Sequence, residues 1–163
     1  MSDNNSHKDS FEYVNPDLVD NILSQYPDKR SATLPLLHLA QTQEGYISNA
    51  VVDTVAQITE THPAEVMDCA SFYTMFYLRV QGRYILQVCQ TLSCSLNGAD
   101  ALVDHITDRY GIGPGETTPD GKFTLMKVEC LGSCGTAPVV QINNDYHEGL
   151  SKEILDELLE SLQ

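Results

Sequence analysis

The sequence predicts an α+β protein: an N-terminal helical bundle, then a domain built on a small mixed sheet. Three observations predict it. The first half carries apolar residues at helical spacing, punctuated by prolines and capping residues. Near Gln81-Gly82 the pattern changes to alternation in runs rich in strand formers. From there the elements read strand, helix, strand, strand, helix, an order that packs helices on a sheet. With 163 residues, 42% of them hydrophobic, the chain suits one domain plus an appendage or two small domains.

Residues 1–14 are expected to be a flexible tail. The start, MSDNNSHKDSFEY, has neither the apolar stretch of a secretory signal nor an Arg-rich amphipathic face. The helical region, 15–80, begins after Asn15-Pro16 with DLVDNILSQYP, where Leu18, Val19, Ile22 and Leu23 share a face and Pro27 ends the run. Ser31 is read as the cap of ATLPLLHLAQTQEG, which Gly45 closes. Ser48 caps NAVVDTVAQITE, and Thr61 before His62-Pro63 starts PAEVMDCASF. Four short helices of this kind make a bundle.

The second domain, 81–163, opens with the strand RYILQVC. A helix from Asn97 to about Tyr110 follows, and then the connector GIGPGETTPDG. KFTLMKVEC is a second strand. APVVQINN and DYHEG form a hairpin through Asn143-Asn144, and Ser151 caps the final amphipathic helix SKEILDELLESL. This order fits a thioredoxin-like layer of helices on a mixed sheet.

Composition removes several functions. Nine Lys and Arg against 23 Asp and Glu give a net charge of −14, which disfavours nucleic acid phosphates and anionic membrane surfaces as partners. No apolar run approaches the roughly 20 residues of a membrane-spanning helix. GIGPGE follows a helix rather than a strand and lacks the G-x-G-x-x-G spacing, so it reads as a connector and not a phosphate loop. Five cysteines without an export signal read as reduced thiols, and their odd number argues against a disulfide framework.

Four of the cysteines form a pattern. Cys89 and Cys94 are spaced C-x4-C, Cys130 and Cys134 are spaced C-x3-C, and 35 residues separate the pairs. Each pair follows a strand, so neighbouring strands ending on the same side would bring four thiolates to one point. Such a set suits a 2Fe–2S cluster or a structural zinc. Zinc knuckles more often use C-x2-C, whereas a two-iron cluster takes the looser spacing. Gly132, Ser133, Gly135 and Thr136 leave the second loop nearly free of bulk, so backbone N–H groups can approach sulfur. A redox dithiol would present C-x-x-C at a helix start, which neither pair does.

These stretches carry a family resemblance. VCQTLSCSLNGAD and ECLGSCGTAPVVQINNDYHEGL, with LLHLAQTQEGYIS, ASFYTMF and GETTPDGKFTL, resemble in the same order the thioredoxin-like 2Fe–2S subunit of the NADH-dehydrogenase module of respiratory complex I. The resemblance runs over roughly residues 14 to 162. It implies that Cys89, Cys94, Cys130 and Cys134 ligate a 2Fe–2S cluster. It implies a partner subunit that binds FMN and NADH, with further iron–sulfur subunits beyond it, and a cluster that exchanges one electron with that flavin. It also implies a cytoplasmic place, peripheral on the inner membrane without inserting. The equivalent subunit of a soluble NAD-linked hydrogenase or formate dehydrogenase shares these features, and a zinc-stabilised binding module is the alternative of another class. Reduction would add negative charge to an already acidic chain, so a low potential is expected.

The remaining residues have plainer readings. Cys69, beside Met67 and Ala70, is expected to be a buried inert thiol. The five histidines, at positions 7, 38, 62, 105 and 147, lack metal-ligand spacing. FYTMFYL, 72–78, is read as core between helices and sheet, with one or two residues also facing a partner.

Overall fold

The computed structural model describes residues 10–162. It divides into two units, Met1–Val80 and Gln81–Gln163.

The first unit is helical. α1 (Pro16–Ser24) has proline in its first turn, where a missing N–H costs nothing. α2 (Thr33–Glu44) ends at Gly45, whose φ of +82° glycine adopts without strain. α3 (Asn49–Thr59) is capped as expected, with Ser48 Oγ accepting from the Val51 N–H. α4 (Pro63–Phe72) follows.

Two expected caps are replaced. Ser31 lies inside a 3₁₀ turn, Lys29–Ala32, that adds a turn ahead of α2 and uses the Asp28 carboxylate as its cap. At α4 the cap is His62, whose Nδ1 accepts from the Ala64 N–H at 3.1 Å. The Thr61 hydroxyl bonds instead to that of Thr59. Leu36, Leu37, Val51, Val55 and Val66 are fully buried among these helices. Each contributes about 1.5–3 kcal/mol by leaving water.

Packing begins before residue 15. Phe11 is buried in the first core, and the Tyr13 hydroxyl donates to the Leu36 carbonyl at 2.8 Å. Residues 1–9 of the expected tail lie outside the described residues. In the 72–78 segment, Phe76 joins this first core, whereas Phe72, Met75 and Leu78 are exposed. Cys69 is half-buried rather than buried.

The second unit has a four-stranded sheet in the order β2-β1-β3-β4. Its strands are β1 (Tyr84–Cys89), β2 (Phe123–Val128), β3 (Val139–Ile142) and β4 (Asp145–Glu148). β1 and β2 are parallel, which requires the long crossover that α5 (Leu92–Leu96) and α6 (Ala99–Tyr110) provide. β3 runs antiparallel to both β1 and β4. Asn143, at φ +54°, turns the hairpin, and its Oδ1 accepts from the Ile85 N–H of β1.

α7 (Lys152–Ser161) is capped by Ser151, which accepts from the Ile154 N–H. Leu102 and Ile106 of α6 and Leu155 and Leu159 of α7 join Leu86, Val88 and Leu125 of the sheet in one core. α5 has no counterpart in the sequence reading, which started this helical stretch at Asn97. Asn97 and Gly98 instead separate two helices, with Gly98 at φ +97°.

Candidate metal centre

The register of the sheet places the cysteines. Cys89, the last residue of β1, pairs with Val128, the last of the parallel β2. Both loops that follow therefore leave the same end of the sheet. Val139 of β3 and Glu148 of β4 pair with each other at that end as well, because Val88 sits opposite Val140.

Cys94 is carried on α5. That short helix is tethered through Asp100, which accepts from Ser95 at 2.9 Å and from Lys127 of β2 at 3.0 Å. The Lys127 ammonium, with Ser95, holds the Asp100 carboxyl below the usual carboxylate range. The second loop leaves β2 and carries Cys130, then Gly132 at φ +81°, then Cys134 at the start of a 3₁₀ turn, Cys134–Thr136. A side chain at position 132 would strain this backbone.

All five cysteines are free thiols. Cys89 and Cys94 are buried, each 2% exposed, whereas Cys130 and Cys134 are exposed. The arrangement thus has a buried jaw and a solvent-facing jaw. Burial pushes the Cys89 thiol up, but hydrogen bonds from the Thr91 hydroxyl, from the backbone at Leu131 and Thr91, and from Cys94 outweigh it, so the net direction is down. Cys94 moves the other way. Its burial and its hydrogen bond to Cys89 push it up, against one bond from the backbone at Val139.

The Leu131 contact joins the second loop to the first pair, and Cys134 lies within electrostatic reach of Cys94. The Gly132 N–H points at Cys130 Sγ, 3.3 Å away.

The expectation of a single point of convergence is not met in full. Among the described residues, no three His, Cys, Asp or Glu side chains gather closely enough to ligate one ion. Cys89 and Cys94 are in contact, and the second pair lies along the loop that reaches them. Four cysteines, with backbone N–H groups already directed at sulfur, nevertheless have the chemistry that suits a 2Fe–2S cluster, in which each iron takes two thiolates.

Residues 19–163 match the family model described as thioredoxin-like [2Fe-2S] ferredoxin. The chain belongs to this family. Its cofactor is a 2Fe–2S cluster, and its fold is thioredoxin-like after a helical N-terminal region.

Among relatives of this thioredoxin-like ferredoxin, NADH-quinone oxidoreductase subunit 2 of Thermus thermophilus is 46% identical over 150 residues, covering 90% of this chain and 83% of the relative. An NADH-quinone oxidoreductase subunit of Rickettsia felis is 43% identical over 154 residues, covering 93% of this chain and 92% of the relative. A solved structure of an NAD+-reducing [NiFe]-hydrogenase in its H2-reduced state superposes with a TM-score of 0.71 at 25% identity. It covers 78% of this chain but only 21% of that one.

The remaining residues singled out in the sequence have contacts of their own. His38 stacks on Phe76 with ring centroids 4.8 Å apart, and His105 Nε2 pairs with Asp156 at 2.8 Å. His7 lies outside the described residues. The connector at 111–121 binds its own neighbours: the Gly113 N–H donates to Glu116 Oε2 and the Gly115 N–H to the Leu125 carbonyl. Sequence reasoning missed Thr91, whose hydroxyl lies 3.2 Å from Cys89 Sγ, and the contacts that β4 makes with the second loop. A hydroxyl two residues from Cys89, in a stretch of small polar residues, was the available signal for the first.

Proposed function

We propose that this chain is the electron-transfer subunit of an NADH:quinone oxidoreductase, docked beside a subunit that holds FMN and NADH. The observation that carries this reading is the placement of four free thiols at one end of the sheet, in a chain over 40% identical to NADH-quinone oxidoreductase subunits. When bound, the cluster supplies a one-electron acceptor and donor, which suits a neighbour of a flavin that receives two electrons as hydride.

The chain's own residues hold and tune that group. Cys89, Cys94, Cys130 and Cys134 are its proposed ligands. The Thr91 hydroxyl and the N–H groups at Leu131, Gly132 and Val139 donate to sulfur. They stabilise negative charge there and oppose the effect of the chain's −14. No helix of the described residues is long and apolar enough to cross a membrane. A peripheral place on the cytoplasmic side, held through partner subunits, is the location proposed.

Purification from native membranes tests this reading. Membrane-arm subunits and a flavin-bearing subunit are expected to co-purify with the chain, along with further iron–sulfur subunits. The structural similarity to the hydrogenase supports a second reading, the equivalent subunit of a soluble NAD-linked enzyme. Recovery of a nickel-bearing large subunit in place of membrane subunits would establish it and defeat the first.

A further inference from the structure

We propose that Glu148 is a positioning residue for the cluster: from β4, its carboxylate holds the second cysteine loop across the end of β1. The proposal rests on the reading of Cys130 and Cys134 as cluster ligands.

The topology poses a problem that this residue solves. The loop leaves β2, at one edge of the sheet, while β4 forms the other edge, with β1 and β3 between them. Yet the loop is fastened to β4 and the residue after it. The Tyr146 hydroxyl donates to the Leu131 carbonyl at 3.1 Å. The Gly149 N–H donates to the Thr136 carbonyl at 2.8 Å. Between these points Glu148 Oε1 accepts from the Thr136 hydroxyl at 2.7 Å and from the Ser133 hydroxyl. A segment fixed at both edges has to pass over the end of β1, where Cys89 sits. The hydrogen bond from the backbone at Leu131 to Cys89 marks that crossing.

The carboxylate grips the loop on both sides of Cys134, at the residue before it and two residues after it. The Ser133 and Thr136 hydroxyls also lie 2.8 Å from each other, so three side chains close a small polar clasp around one proposed ligand. Hydrogen bonds to an ionised acceptor are about twice as strong as neutral ones, which suits a clasp on an exposed loop. Leu131 and Ala137 pack against the core at either side of the clasp, but Gly132 and Gly135 offer no side chain to hold the stretch around Cys134.

The test uses the full chain with its cluster. Under anaerobic chelator challenge, visible absorption of the E148A variant is expected to bleach about tenfold faster than wild type, the usual scale for losing a partner of a metal ligand. Its reduced form is expected to show broadened electron paramagnetic resonance lines, because Cys134 samples several positions. E148Q keeps an acceptor oxygen and is expected to restore most of the wild-type rate, with a higher midpoint potential because one negative charge is gone. S133A/T136V removes the same clasp from the loop side and is expected to reproduce E148A. It also serves if E148A fails to fold, with far-UV circular dichroism reporting the fold.

Wild-type bleaching and line shape in both E148A and S133A/T136V would overturn the role of Glu148. Fast bleaching in E148Q equal to that of E148A would overturn the hydrogen-bonded clasp. A wild-type protein without visible absorption or acid-labile sulfide would instead defeat the cluster reading on which the proposal stands.

Discussion

Cys89 closes β1 directly beside Val128, the last residue of the parallel β2. Cys130 follows two residues beyond that pairing, so two loops separated by a helical crossover begin side by side. Parallel pairing is what makes this work, because antiparallel neighbours would send their C-terminal loops to opposite ends of the sheet.

This pairing yields the first prediction. Replacing Cys89, Cys94, Cys130 or Cys134 by Ser is expected to remove most of the visible absorption and acid-labile sulfide per chain. Cys69→Ser is expected to leave both intact, since Cys69 packs against the core of the first unit. Iron and sulfide assays on anaerobically purified variants check this. Equal loss at Cys69 would refute the ligand assignment.

The approach to β1 depends on a residue that composition makes easy to pass over. Gly82 is buried, and its N–H donates to the Thr124 hydroxyl at 2.6 Å. A Cβ there would sit 2.8 Å from the Phe123 carbonyl carbon and 3.0 Å from the Thr124 nitrogen. Both obstacles are backbone of β2 and cannot rotate away. Gly82→Ala is expected to destabilise the second unit by about 1–3 kcal/mol. A fall in thermal midpoint reads the effect, and an unchanged midpoint would show that the two strands can separate without penalty.

On the function proposed above, a flavin-bearing partner would come close to the cluster to exchange electrons with it. Leu92 and Leu96, one helical turn apart on α5, are 73% and 77% exposed on the helix that also carries Cys94. The double change L92E/L96E adds two charges to this apolar surface. It is expected to weaken retention of the flavoprotein by about tenfold, or roughly 1.4 kcal/mol, while leaving the visible spectrum of the chain unchanged. Co-purification yields and spectra measured on the same preparation separate the two effects.

Long periodic elements were legible in the sequence, and short or side-chain-built ones were not. α3, α6 and α7 have repeated apolar positions and recognisable ends. β1 and β2 alternate, and the thiol spacing stands out because a two-iron cluster tolerates looser loops than a single ion. α5 spans five residues, too few for a period to register. The 3₁₀ turn before α2 depends on a local bond from the Arg30 N–H to the Asp28 carboxylate. Phe11 and Tyr13 lie in a polar stretch, and their burial depends on α2 and α3, which present the Leu36 carbonyl and the Thr54 hydroxyl to them. The clasp at Glu148 joins residues 12 and 15 positions apart through sheet order, which no local pattern encodes.

The last prediction concerns the seam between α6 and α7. Asp156 accepts from His105 at 2.8 Å and pairs with Arg109, which also reaches Glu160 at 2.5 Å. Burial pushes the Asp156 carboxyl up, but its hydrogen bonds to His105 and Arg109, with their charges, outweigh that and hold it below the usual carboxylate range. A carboxyl depressed in the folded state contributes stability that is complete above its unfolded pKa, about 3.9, and is lost as pH falls through the folded value. Asp156→Asn is therefore expected to cost about 1 kcal/mol near neutral pH, a figure kept small because the pair is partly open to solvent. Below pH of about 3.9 the difference from wild type is expected to shrink toward zero, as the wild-type carboxylate itself becomes protonated. Urea unfolding followed by far-UV circular dichroism, which reads the helices rather than the cluster, measures this at each pH. A penalty that stays constant through the acid range would show that Asp156 acts through shape and not through charge.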